Sequence, residues 1–304
     1  MYEQKVTSET PTLIIILIDQ STSMERIMAQ KGTQTYRIST MAKIVSDNLL
    51  YTCLRKAMRG TKIKQYVEFA IIGYGISVHS ALPRVNLDEF PIDMERLKQE
   101  AQKTDTEEGE LVPRAKREWV EERSDGLTPM VAALKQARKI IEDWIPTHKS
   151  SYPPTIINLT DGMPNDDEKY LEMLENGYIG DLSQTGLINE SNAIKQLHTD
   201  DGNVMIANCH ISSEQTITVE YPAYASEIEK IDPLARILFE MSSTIPEPLR
   251  KLGNDPMFDM GLASNAKFFL FNAETKSMVN FMKFGTTTAT GGIETDEDTK
   301  SLPE

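Results

Sequence analysis

Two kinds of apolar run alternate along this chain. Leu13–Asp19, "LIIILID", is six aliphatic residues and then a carboxylate. It shows no in-and-out alternation, which marks a strand buried on both faces of a parallel sheet. Tyr36–Gly60 follows with apolar residues at Ile38, Met41, Ile44, Val45, Leu49, Cys53, Leu54 and Met58. That spacing predicts an amphipathic helix, with Gly60 as its stop. "YVEFAIIGYG" (Tyr66–Gly75) and "SVHSALP" (Ser77–Pro83) are too close for a crossover helix and predict an antiparallel hairpin. Thr128–Ile145 has helical spacing again, and Pro154–Gly162, "PTIINLTDG", is a second buried strand ending in a carboxylate. A short helix in "NAIKQLHTDD", a strand over Asn203–Ser212, a helix over Pro233–Ser243, a last strand over Lys267–Ala273 and a helix near Glu274–Phe284 complete the expectation.

Strands alternating with helices predict an α/β fold, a doubly wound, mostly parallel sheet covered on both faces. One main domain over 12–285 is expected. An N-terminal tail over 1–11 precedes it, and a flexible Gly-, Thr- and acid-rich tail over 286–304 follows. Two stretches break the alternation. Arg84–Asp125 (84–125) is dense in charge and reads as a peripheral insertion whose most mobile part is "KTDTEEGE". Ser213–Asn265 (213–265) reads as a largely irregular insertion.

The formal net charge of -14 lowers the expectation of nucleic-acid binding, because a polyanion would be repelled. Cys53 and Cys209 both sit in apolar contexts and read as reduced core thiols. The first residues lack a basic n-region and a cleavage site, and Leu13–Ile18 is too short for a membrane span. A cytoplasmic protein is expected.

The candidate chemistry sits where the first apolar run ends. Extended backbone places residues two apart on one side, so Asp19, Ser21 and Ser23 point together beyond the strand. In open α/β sheets that is where ligands bind. Asp161, followed by Gly162, ends another buried strand and can reach the same edge. Carboxylates and hydroxyls with no histidine or thiolate at hand suit a hard cation such as Mg²⁺ better than zinc or copper. The bland alternative is that Ser21 and Ser23 only cap a following helix.

Asp19-Gln-Ser21-Thr-Ser23 resembles the D-x-S-x-S of the von Willebrand factor A (vWA) domain. "DGLTPM", with Thr128, and "LTDGMPND", with Asp161, resemble the other two parts of that family's metal-ion-dependent adhesion site. The resemblance implies a six-stranded sheet with one antiparallel edge strand and no catalytic activity. It implies a divalent cation (Mg²⁺, or Mn²⁺ or Ca²⁺) held directly by Ser21, Ser23 and Thr128, with Asp19 and Asp161 often acting through water. It further implies a protein partner that presents an acidic residue to the metal, by analogy in a kinase/phosphatase or AAA+ ATPase system. No nucleic acid or membrane is expected as a partner.

An enzyme reading competes. Haloacid-dehalogenase-like phosphatases also end their first strand in a nucleophilic aspartate beside Mg²⁺. They carry a second acid two residues on, where this chain has Ser21, and need a lysine and a late acidic pair. Asp166-Asp167 reads as a solvated turn. "GTTTATGG" lacks the Gly-Lys-Ser/Thr ending of a phosphate loop. Tyr221, Pro222 and Tyr224 read equally well as an exposed aromatic patch or as a packed loop.

Overall fold

The computed structural model describes residues 1–28, 36–103, 117–177, 180–211, 218–228, 233–256, 259–272, 277–278, 280–281 and 284. Seven strands form the main sheet: β1 (Thr12–Asp19), β2 (Val67–Tyr74), β3 (Val78–Ser80), β4 (Thr155–Thr160), β5 (Met205–His210), β6 (Val219–Glu220) and β7 (Phe269–Phe271). Their order is β6-β7-β5-β4-β1-β2-β3. β1 lies parallel between β2 and β4, β5 parallel to β4, and β7 parallel to β5. Every residue of β1 and β4 is buried, which explains why neither alternates in sequence.

β3 closes one edge antiparallel to β2, as the sequence led us to expect. The other edge differs from the six-stranded expectation. Val219–Glu220 adds a seventh strand, antiparallel to β7. Two residues are too few to show a period in the sequence.

The helices are α1 (Ile38–Ala57), α2 (Met94–Glu100), α3 (Met130–Trp144), α4 (Glu168–Glu175), α5 (Gly186–Gln196), α6 (Pro233–Met241) and α7 (Glu247–Gly253). α3 buries Met130, Ala133, Leu134, Ala137, Ile141 and Trp144 along one stripe and packs beside α5, which packs beside α6. α1 packs with α2. Right-handed crossovers dictate this division. The chain steps from β1 to β2 in one direction and from β3 back past β1 to β4 in the other, so α1 and α3 fall on opposite faces. The reversal leaves a crevice beyond the carboxyl ends of β1 and β4.

The charged insertion is not peripheral at its ends. Phe90, Ile92, Met94, Leu97, Trp119 and Val120 are buried, and Ile92 exchanges backbone hydrogen bonds with Phe69 of β2. Buried Asp47 of α1 accepts from the Trp119 and Val120 N–H groups at 2.8 and 3.0 Å and from Lys43 Nζ at 2.6 Å. "KTDTEEGE" falls almost wholly outside the described residues, as do the 286–304 tail and part of the helix expected near Glu274–Phe284.

Within the second insertion, α6 is the helix expected over Pro233–Ser243, while α7 and β6 replace part of the expected irregular chain. Tyr221 is buried there, while Tyr224 is exposed. The tail over 1–11 is also engaged: Val6 is buried, and the Tyr2 backbone N–H donates to Asp201 O at 2.7 Å.

A chain of polar side chains runs through the interior. Tyr74 Oη donates to Asn158 Oδ1 at 2.7 Å, Asn158 Nδ2 to Asn208 Oδ1 at 2.9 Å, and Asn208 Nδ2 to Ser242 Oγ at 2.9 Å. Cys53 and Cys209 are buried free thiols. Among the described residues no helix is long and apolar enough to cross a membrane.

Candidate metal centre

All five expected oxygen ligands come to the carboxyl edge. Asp19 closes β1 and is fully buried; its Oδ1 accepts from the Ser21 N–H at 2.9 Å. Ser21 Oγ lies 2.9 Å from Ser23 Oγ, and Ser23 Oγ donates to Asp161 Oδ1 at 2.7 Å. Thr22–Glu25 does form a short 3-10 helix, but the Ser21 side chain makes no capping bond to it. The capping explanation for Ser21 therefore fails.

Thr128 arrives on a separate loop. Gly126 adopts φ +76°, a left-handed turn that side-chain-bearing residues rarely take. Its carbonyl accepts from both the N–H and the hydroxyl of Thr22, each at 3.1 Å, which ties the two loops together. Asp125 N–H donates to Gln20 O at 2.7 Å in the same seam. The start of α3 is then fixed by Asp166, which accepts from the Val131 and Ala132 N–H groups. Asp167 caps α4 through the Tyr170 N–H and also receives the Leu187 N–H of α5. The Asp166-Asp167 pair is thus a structural clamp and not a solvated turn. Sequence reasoning read the acids and missed the helix starts they satisfy.

Thr128, Asp19 and Ser23 close around Gly162, the residue after Asp161. A Cβ built on Gly162 would lie 2.8 Å from Thr128 Oγ1, 3.0 Å from Asp19 Oδ2 and 3.3 Å from Ser23 Oγ. The space among these oxygens exists because the residue after Asp161 has no side chain. One further residue was not anticipated. Thr160 donates its hydroxyl to Asp19 Oδ2 at 2.6 Å and accepts from the Gly162 N–H at 3.1 Å, so it orients both. Its position next to Asp161 in "LTDG" was the available signal.

The electrostatics ask for a cation. Burial pushes the Asp19 carboxyl up to about 7, against the hydrogen bonds from Thr160 and Ser21, with Asp161 adding repulsion. Asp161 is likewise raised, chiefly by burial. Its Oδ2 is buried with no hydrogen-bond partner. A cation would supply what that oxygen lacks. Among the described residues no three His, Cys, Asp or Glu side chains form a metal cluster. The donor set here is instead two carboxylates and three hydroxyls, all hard oxygens, which fits Mg²⁺ with retained waters.

A strand order reversing at β1, with Asp19, Ser21, Ser23, Thr128 and Asp161 gathered over the reversal, decides the fold type. The fold is of the von Willebrand factor A type.

Solved structures with vWA domains accompany this result. The chain is similar to the vWF domain of the type V pili tip protein Mfa5 from Porphyromonas gingivalis, at 13% identity and TM-score 0.48, covering 95% of this chain and 98% of that one. It is similar to the proximal thread matrix protein 1 from the mussel byssus with a zinc-occupied MIDAS motif, at 14% identity and TM-score 0.44, covering 93% of this chain and 48% of that one. A von Willebrand factor type A structure from Catenulispora acidiphila matches at 12% identity and TM-score 0.41, covering 92% of this chain and 43% of that one. This chain therefore spans about half the length of the mussel protein. No family model matches the sequence, and no curated protein matches it. The function has to come from the site.

Proposed function

We propose that this vWA-type domain is a metal-dependent protein-interaction module without catalytic activity of its own. Ser21, Ser23 and Thr128 would hold a Mg²⁺ ion directly, with Asp19 and Asp161 completing the shell directly or through water. The ion would supply an electrophilic anchor for a carboxylate of a partner protein.

The observation that carries this reading is what surrounds the oxygens. Seven large apolar side chains are exposed among the described residues; three of them, Ile27, Leu127 and Met163, sit on the loops that carry the site residues, and a fourth, Ile76, sits on the neighbouring β2–β3 turn. Leu127 adjoins Thr128, and Met163 adjoins Gly162. Ile76 adjoins Gly126, whose Cβ position is 2.4 Å from the Ile76 nitrogen. Clustered apolar exposure on a soluble domain marks docking. A polar, cation-attracting centre inside an apolar collar suits an acidic side chain flanked by apolar ones.

Cytoplasmic residence, which rests on the reading of Cys53 and Cys209 as reduced thiols, and a partner from a kinase/phosphatase or AAA+ ATPase system, which rests on the sequence resemblance, are parts of the same proposal. The test is calorimetric titration of the full chain with Mg²⁺ and Mn²⁺, followed by partner capture from the native host in Mg²⁺ and in EDTA. One dominant site, lost in Asp19→Ala, and a partner retained only with the metal are expected. A partner held equally in both conditions would move the interaction to another surface. Turnover of a generic aryl phosphate, abolished by Asp19→Asn, would instead establish the enzyme reading.

A further inference from the structure

At the other end of the sheet, before β5 begins, a cavity of about 270 Å³ opens between elements that the metal centre does not use. It is lined by Tyr2, Lys195, Asn203–Met205, Ser242–Thr244 and Lys267. Two ammonium groups on one small cavity are unusual in a chain of net charge -14. We propose that this cavity is a binding site for a small, multiply charged oxyanion of the phosphate type.

The local charge count supports it. Lys195 Nζ donates to Glu240 O at 3.2 Å, and Lys267 Nζ to Phe239 O at 2.9 Å, so both ammonium groups converge on the carboxyl end of α6. Each has three hydrogens; Lys195 spends one there, and Lys267 spends one there while also pairing with the Glu240 carboxylate and sitting over the Phe239 ring at 4.2 Å. The carboxylate in reach is Glu240, 3.7 Å from Lys267, and Arg236 already holds it at 3.0 Å. Asp201, beside Tyr2, is engaged by the Glu3 and Gln4 N–H groups. Three cations thus share one carboxylate, and the two lysines repel each other. Burial and that repulsion push Lys195 down to about 8. An anion between the lysines would offset the repulsion and favour the charged form of Lys195 despite its burial.

Hydroxyls complete the donor set. Ser243 Oγ accepts from the Ile206 N–H at 2.9 Å and has its own proton to give, and Thr244 lines the same wall. Size selects the ligand. Sites for drug-sized molecules and nucleotides enclose roughly 300–1,000 Å³. This one falls below that range and suits a compact ion with its waters. Donors arriving from Lys195, Lys267 and the Ser243 turn come from three separate segments, which favours a tetrahedral ion over a planar carboxylate.

The experiment uses the full chain with inorganic phosphate as probe, and acetate and chloride at matched ionic strength as comparators. Melting temperature and ¹⁵N amide shifts are read together. Phosphate should raise the melting temperature by about 5 °C at a hundredfold excess over Kd. It should shift the amides of Asn203–Met205 and Ser242–Thr244, with EDTA present throughout so that the metal centre plays no part. Lys195→Met and Lys267→Met keep the apolar stems and should each weaken binding at least tenfold. Should either variant fail to fold, the wild-type amide map still decides. No phosphate-dependent change at those amides, equal binding in Lys195→Met, or acetate acting as strongly as phosphate would each overturn the assignment.

Discussion

Gly162→Ala is the sharpest perturbation of the metal centre, because it adds one methyl group and removes no ligand. The new Cβ would sit 2.8 Å from Thr128 Oγ1, 3.0 Å from Asp19 Oδ2 and 3.3 Å from Ser23 Oγ. A Mg²⁺ ion needs its oxygens at about 2.0–2.1 Å. An ion seated among these atoms on the side that Gly162 faces would meet the methyl carbon, so Gly162→Ala should oppose its binding there. Relaxation can relieve the 2.8 Å contact in the metal-free protein at a cost of about 1–3 kcal/mol, the usual range for overpacking. Relaxation outward also spreads the ligands.

Metal binding should therefore fall by at least 100-fold, about 2.7 kcal/mol. The assay is a pair of melts, with and without Mg²⁺ at a hundredfold excess over the wild-type Kd. Wild type should gain about 2.7 kcal/mol from the ion, roughly 5 °C. Gly162→Ala should gain nothing and should melt within a few degrees of metal-free wild type. If the variant bound Mg²⁺ with wild-type affinity by calorimetry, the cation would not lie among these oxygens.

Three other outcomes are expected. With Asp19 pushed up to about 7, protons compete with the metal, so Mg²⁺ affinity should climb as pH rises toward 7 and level off above it. Titrations below pH 7 in buffers of different ionisation enthalpy should show proton release, which Asp19→Asn should reduce. Burial depresses His210 from 6.5 to about 4, so between those values the unfolded chain takes up a proton that the folded one refuses. Stability should fall as pH drops through that window, by up to about 3 kcal/mol; denaturant melts of His210→Phe, which keeps the stack on Phe271, should show a flatter pH profile. Asp47→Ala strands the Trp119 and Val120 N–H groups and should cost about 3 kcal/mol in urea unfolding, with Mg²⁺ affinity unchanged.

The parts of this molecule that a sequence makes legible are those where one residue type repeats for one reason. β1 is a continuous apolar run and β4 shows no alternation because parallel neighbours cover both faces, and α3 is periodic because one face meets the sheet. Asp19, Ser21 and Ser23 could be read together because they are neighbours in the chain. Asp161 joined them because it too ends a buried strand, while Thr128 joined only through resemblance to a family, since its proximity is tertiary. What escaped reading depends on contacts with distant segments. Asp166 looks like a surface acid until the start of α3 lies beside it. The apolar residues of the charged insertion, from Phe90 to Trp119, are too sparse to announce a core, yet they cover β2 and α1. β6 is two residues long and exists because β7 offers it an edge.

The buried chain from Tyr74 through Asn158 and Asn208 to Ser242 has a consequence for how the strands are aligned. Parallel strands made of Ile and Leu are nearly interchangeable under a shift of register, since one aliphatic contact replaces another. Asn158 and Asn208 are direct partners across β4 and β5. A slip of one residue would turn one amide to the opposite face and leave up to four polar atoms without partners, at about 1–3 kcal/mol each. The amides therefore act as an alignment key, contributing little net stability while penalising misaligned sheets. Because Thr160 stands two residues beyond Asn158, the same key fixes where the β4 strand ends relative to Asp19. A sheet off by one residue would carry Asp161 about 3.3 Å along the strand, a shift larger than the cation itself.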